Sequence, residues 1–227
     1  MLQAIPSSTR NAGIWSAALA TFFSIFYDVA QIAEWLGLMG SGGGADNPST
    51  PFGLFVLLTP SLLLGSSFLV MMASLHQATL HDRKIWSQAA LAFATVYTVL
   101  ISINYYVQLT WVGPRLAAGR VAGMEAFLFT PFDSFLYAVD ILGYSFMSLS
   151  TFFAAFTLKG SGLARAARIF LIANGLLIPF IALQMYVHWL IWIAALWAVT
   201  FPGSTWCLAL LFKRARVDGS AVNTAAA

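Results

Sequence analysis

Residues 132–158 read FDSFLYAVDILGYSFMSLSTFFAAFTL, and this stretch decides both the class of the fold and where its chemistry should be sought. It exceeds the roughly 20 apolar residues that a helix needs to cross hydrocarbon. Its polar side chains, Asp133, Tyr137, Asp140, Tyr144, Ser148 and Thr151, advance by four, three, four, four and three. On a helix of about 3.6 residues per turn that spacing makes one continuous face. Asp133 stands where a carboxylate caps a helix N-terminus. Asp140 lies about 10 Å further in, at about 1.5 Å per residue. A carboxylate at that depth costs several kcal/mol, so it marks a candidate site.

The rest of the chain is of the same kind. Of 227 residues, 60% are hydrophobic and 8% charged, with a mean hydropathy of +0.82. Soluble domains carry about 25% charged residues, so there is too little polar surface here to coat a water-soluble particle. The sequence reads as an all-α, polytopic membrane helical bundle of about six spans: 13–38, 52–76, 87–112, 132–158, 166–188 and 190–212. Residues 1–216 make one membrane domain, and 217–227 a small, polar tail expected to be disordered. Residues 40–51 form a Gly/Ser/Asn/Pro loop. Residues 115–131 are expected to lie on the membrane interface as a short helix carrying Leu116, Met124, Phe127 and Leu128. Pro202-Gly203 predicts a kink in the last span. The turn between the last two spans falls at Tyr186-Val187-His188-Trp189, where aromatic residues concentrate at interfacial depth. The first apolar run is too long, and with Asp28, Gln31 and Glu34 too polar, for a cleaved signal peptide.

Orientation follows from the basic residues. Six spans put Arg10, Arg83, Lys84, Lys159, Arg165, Arg168, Lys213, Arg214 and Arg216 on one side, and only Arg115 and Arg120 on the other. Positive charge stays inside, so both termini are expected in the cytoplasm and the protein in the plasma (inner) membrane. Basic residues confined to span ends are lipid anchors and give no reason to expect a nucleic-acid partner. The partners expected are the lipid bilayer, a small-molecule or lipid ligand and, because six spans is small for a transporter, a second copy in a homodimer.

The other spans carry matching stripes. The first has Asp28, Gln31 and Glu34 in its outer half; the third has Asn104 and Gln108; the fifth has Asn174, Gln184 and His188. With Tyr137, Asp140 and Tyr144 they define the expected site: Asp28, Gln31, Glu34, Asn104, Gln108, Tyr137, Asp140, Tyr144, Gln184 and His188 around an outward-facing cavity, above a nearly all-apolar floor. Tyr27, Trp35, Tyr105 and Trp111 add an aromatic lining able to hold a cation. No Lys or Arg lies inside a span, so the carboxylates lack a strong cationic partner. Unpaired carboxylates in low dielectric take up a proton or bind a cation.

Several classes are excluded. No lysine stands within a span for a retinal Schiff base, and three histidines are too few for a di-iron histidine box. His-Glu-x-x-His, Gly-x-Ser-x-Gly and phosphate-binding glycine loops are absent. No cofactor or metal is expected. The function read from these residues is binding or transport of a small cationic or neutral ligand, with or without proton coupling. The alternatives are a membrane-embedded acid/base enzyme (isomerase, hydratase or cyclase type) acting on a lipophilic substrate, and a non-catalytic subunit or sensor.

Overall fold

The computed structural model describes residues 3–44, 47–130 and 132–218. It is all-helical, with six helices long and apolar enough to cross a membrane: α1 (Ser7–Trp35), α2 (Pro51–Ala78), α3 (His81–Ala117), α4 (Phe135–Ala155), α5 (Leu163–Leu183) and α6 (His188–Arg214). Each packs on its neighbour in the chain, and α6 returns to α1, so the six close into a ring in sequence order. The outer faces stay apolar: Phe22, Ile25 and Val29 on α1, Val99 and Ile103 on α3, and Val199 and Trp206 on α6 are all exposed.

Ile5 and residues 216–218 meet at one end of the ring, here the terminal end. The Ile5 N–H donates to the Arg216 carbonyl (3.1 Å), and the Asp218 N–H to that of Ile5 (2.9 Å). Arg10 donates to the Lys213 carbonyl at 3.0 Å. Arg83 donates to the Phe156 carbonyl at 2.7 Å, Lys84 to that of His76, and Asp82 pairs with Lys159 at 3.5 Å. The basic residues thus gather at the terminal end, with Arg115 and Arg120 at the far end. Val217, the first residue of the expected tail, pairs with Ile5 in an isolated bridge; from residue 219 that tail lies outside the described residues.

The centre of the ring is a closed circuit of aromatic rings. Phe68 meets Tyr97 at 5.6 Å between centroids, Tyr97 meets Tyr144 at 5.8 Å, and Tyr144 meets Trp197 at 5.4 Å. Trp197 meets Phe201 at 5.2 Å, and Phe201 returns to Phe68 at 5.5 Å. Edge-to-face and offset pairs of this kind each add about 0.5–1.5 kcal/mol to the area they bury. The circuit ties α2, α3, α4 and α6 together across the bundle.

α6 is interrupted between Ala194 and Trp197 and carries Pro202 and Gly203 inside its last helical stretch. Gly203 also serves contact, since a Cβ there would stand 2.7 Å from the Phe170 ring. Two local expectations are corrected. Residues 115–117 end α3, and residues 118–130 do not form the expected interfacial helix. Gly119 and Gly123 hold φ of +68° and +76°, a region that ends a helix. Only one 3₁₀ turn, Glu125–Phe127, forms, and Met124 and Phe129 are buried over the far end of the bundle. Asp133 is exposed, and Ser134 caps α4 instead, its hydroxyl accepting from the Tyr137 N–H at 3.0 Å. Before its last turn α3 widens to a π-turn at Gln108–Val112, just ahead of Pro114, which has no N–H to donate.

Candidate functional site

The far end of the ring holds a cavity of about 300 Å³ bordered by α1, α4, α5 and α6. α1 contributes Tyr27, Asp28, Gln31 and Trp35; α4 contributes Tyr137, Asp140 and Tyr144; the turn that follows α5 contributes Gln184; and α6 contributes Trp197. Phe132, Ile181 and Ile191 fill in the walls. Tyr144 and Trp197 belong to the central aromatic circuit, so that circuit floors the cavity. Among the described residues, no Lys, Arg or His lines it.

Six of the ten expected residues line this cavity: Asp28, Gln31, Tyr137, Asp140, Tyr144 and Gln184. Two hydrogen bonds tie lining residues together. The Tyr27 hydroxyl donates to Gln31 Oε1 at 3.1 Å and the Tyr137 hydroxyl to Gln184 Oε1 at 3.1 Å. Asp140 is 4% exposed. The Nδ2 of Asn104 donates to its Oδ1 at 3.1 Å from behind, on α3. Tyr27, Tyr97, Tyr105, Tyr137 and Tyr144 all lie within electrostatic reach of its carboxylate. Asp28 is half-buried and, among the described residues, accepts no hydrogen bond. The two carboxyl groups therefore differ: Asp140 is buried and held by a hydrogen bond, while Asp28 is half-buried.

The other four residues stand elsewhere. Asn104 supports Asp140 without lining the cavity. Gln108 turns to the loop that closes the far end, its Nε2 donating to the Phe127 carbonyl at 2.6 Å. Glu34 is 3% exposed and points at α2: a Cβ on Gly53 would stand 2.7 Å from its Oε2. Its carboxylate thus lies against the first turn of α2, where the helix dipole favours negative charge. His188 is exposed in the 3₁₀ turn that opens α6. The helical spacing that puts His188 one turn beyond Gln184 fails because α5 ends at Leu183.

Trp197 escapes a reading based on polar stripes, since no polar stripe marks its helix. Its one signal is position. It lies five residues beyond Trp192, too deep for an interfacial belt. The nearly apolar floor is also overturned. Below the aromatic circuit, Asn174 donates to Thr151 Oγ1 at 2.9 Å and accepts from the Thr200 hydroxyl at 3.0 Å. Thr21 and Thr205 share a hydrogen bond of 2.8 Å.

The arrangement is an aromatic-walled chamber into which two carboxyl groups, Asp28 and Asp140, project from different helices. Comparison with known proteins adds no name to that geometry: the chain matches no protein-family model, no curated protein and no solved structure.

Proposed function

We propose that this is a multi-pass membrane protein of the plasma (inner) membrane whose far-end cavity binds or transports a small organic ligand, cationic or neutral, with apolar bulk. One observation carries the reading: Asp28 and Asp140, from different helices, line a single cavity walled by Tyr27, Trp35, Tyr137, Tyr144 and Trp197 without a basic residue among them. Buried carboxylates are retained where they pair or bind. A quaternary ammonium beside two carboxylates and several ring faces satisfies both requirements.

Benzyltrimethylammonium is a suitable probe because its charge does not depend on pH. Isothermal titration of the purified protein is expected to show saturable binding at least tenfold tighter than for neopentylbenzene, its neutral isostere. Equal affinity for the two would remove charge recognition, and no binding of either would remove the cavity reading.

A second reading has its own support. Asp140 is held by Asn104 in an aromatic wall, the setting in which a carboxyl group serves as general acid to a lipophilic substrate and ring faces stabilise the cation formed. Mass spectrometry of lipid that co-purifies and is altered in the cavity tests it.

The cavity faces outside if both termini are cytoplasmic. Cys207 is the only cysteine in the chain and is buried, so new thiols report alone. Arg120→Cys is expected to react with a membrane-impermeant maleimide in intact cells, and Arg214→Cys only after lysis. The reverse pattern would turn the protein over.

A further inference from the structure

We propose that a seam of buried hydroxyls through the middle of the bundle is a proton path joining the cavity at Asp140 to a second opening at the terminal end. Its outer mouth rests on the cavity reading above; its course rests on separate observations.

The seam follows one face of α4. Tyr144, Ser148 and Thr151 succeed Asp140 at steps of four, four and three, so Thr151 lies roughly 16 Å below Asp140 at about 1.5 Å per residue. Ser148 and Thr151 are fully buried. At the top, the Tyr105 hydroxyl donates to that of Tyr144 at 3.2 Å, and Tyr97 faces Tyr144 across the aromatic circuit. At the bottom, Asn174 fixes the Thr151 and Thr200 hydroxyls. One turn below Thr151 comes Ala155, which lines a cleft of about 360 Å³ together with Asp82, Arg83 and Arg168. The charged groups along the route therefore stand only at its ends, Asp28 and Asp140 above and Asp82, Arg83 and Arg168 below; α3 through α6 carry none between.

Small polar residues in membrane helices commonly fasten helices together. Two members of this seam fasten nothing. The Tyr97 hydroxyl and Ser148 Oγ are fully buried and, among the described residues, have no hydrogen-bond partner. Orphaned hydroxyls in low dielectric are costly. Water between them satisfies both and completes the path. Each hydroxyl then accepts a proton on a lone pair and releases its own to the next acceptor, leaving no net change behind. Asn174 is a positioning residue in this scheme.

The experiment uses the full chain in liposomes loaded with a pH-sensitive dye, with a proton gradient imposed in the presence of valinomycin and potassium. Proton entry is expected to exceed that into protein-free vesicles at least fivefold. Ser148→Ala and Tyr97→Phe remove hydroxyls that bond to nothing, so a purely structural role predicts no change, whereas the path predicts at least a fivefold loss of flux with an unchanged melting temperature. Thr95→Val, whose exposed hydroxyl bonds only its own helix at Leu91, is expected to keep full flux. Wild-type flux equal to that of empty vesicles, or full flux in both variants, overturns the path. Benzyltrimethylammonium binding without proton flux sinks the seam and leaves the cavity; flux without binding does the opposite.

Discussion

Asp140→Asn is expected to weaken benzyltrimethylammonium binding roughly 10–100-fold, the range that follows from about 1.5–3 kcal/mol for an interaction with a buried charged group. The substitution keeps shape and, with its side-chain oxygen toward Asn104, keeps the 3.1 Å hydrogen bond. What it removes is charge. Burying an ionised carboxylate without a cation is unfavourable, so the melting temperature of the unliganded variant should hold or rise. A merely structural Asp140 would show the reverse, with a falling melting temperature and little change in affinity. Asp28→Asn should act in the same direction but more weakly, about 3–10-fold, because solvent screens a half-buried charge. Titration calorimetry and a thermal melt on the same preparations decide between these outcomes.

Gly175→Ala is expected to be the most damaging single-methyl change in the bundle. A Cβ there would stand 2.5 Å from Phe152 Cβ and 3.0 Å from Phe152 Cα. Those atoms belong to the root of a side chain on α4, so no rotamer change relieves the clash and the two helices must separate. Overpacking costs about 1–3 kcal/mol and sometimes more. The gain in helix propensity, at most about 1 kcal/mol, is small at the last residue before a break in the helix. The net expectation is a loss of about 3 kcal/mol, or roughly 6–12 °C in melting temperature for a chain of this size. Gly65→Ala is the control. Its nearest neighbour would be Thr98 Cγ2 at 3.7 Å, an ordinary contact, so the melt should be unchanged or slightly higher. Equal loss in both variants would mean that α4 and α5 do not approach as closely as described.

Much of the fold was legible because hydrocarbon imposes simple rules. Length and apolarity mark six spans, and the paired polar spacing on α4 places Tyr137, Asp140 and Tyr144 on one wall. The helical stripe on α1 likewise carries Asp28 and Gln31 to the facing wall. What a periodic reading cannot supply is the identity of the neighbour. Glu34 continues the α1 stripe yet turns to the first turn of α2, since the field of a helix end is invisible until the two helices are placed. Gln108 lies one turn beyond Asn104, but the π-turn and Pro114 rotate it toward the Phe127 carbonyl. His188 would extend the Gln184 face only if α5 ran on past Leu183. Trp197 has no polar signature at all; its place over the cavity floor follows from the ring closing α6 onto α1.

That closure has a practical corollary. With Ile5 and Val217 side by side, the backbone is nearly a loop, and the turn at Gly160–Gly162 lies at the same end of the molecule. A circular permutant that begins at α5 and runs through a short bridge into α1 would keep every crossing in its native direction and both new ends on the native side. The order in which helices leave the ribosome would change while the final packing would not, so insertion order can be varied independently of architecture.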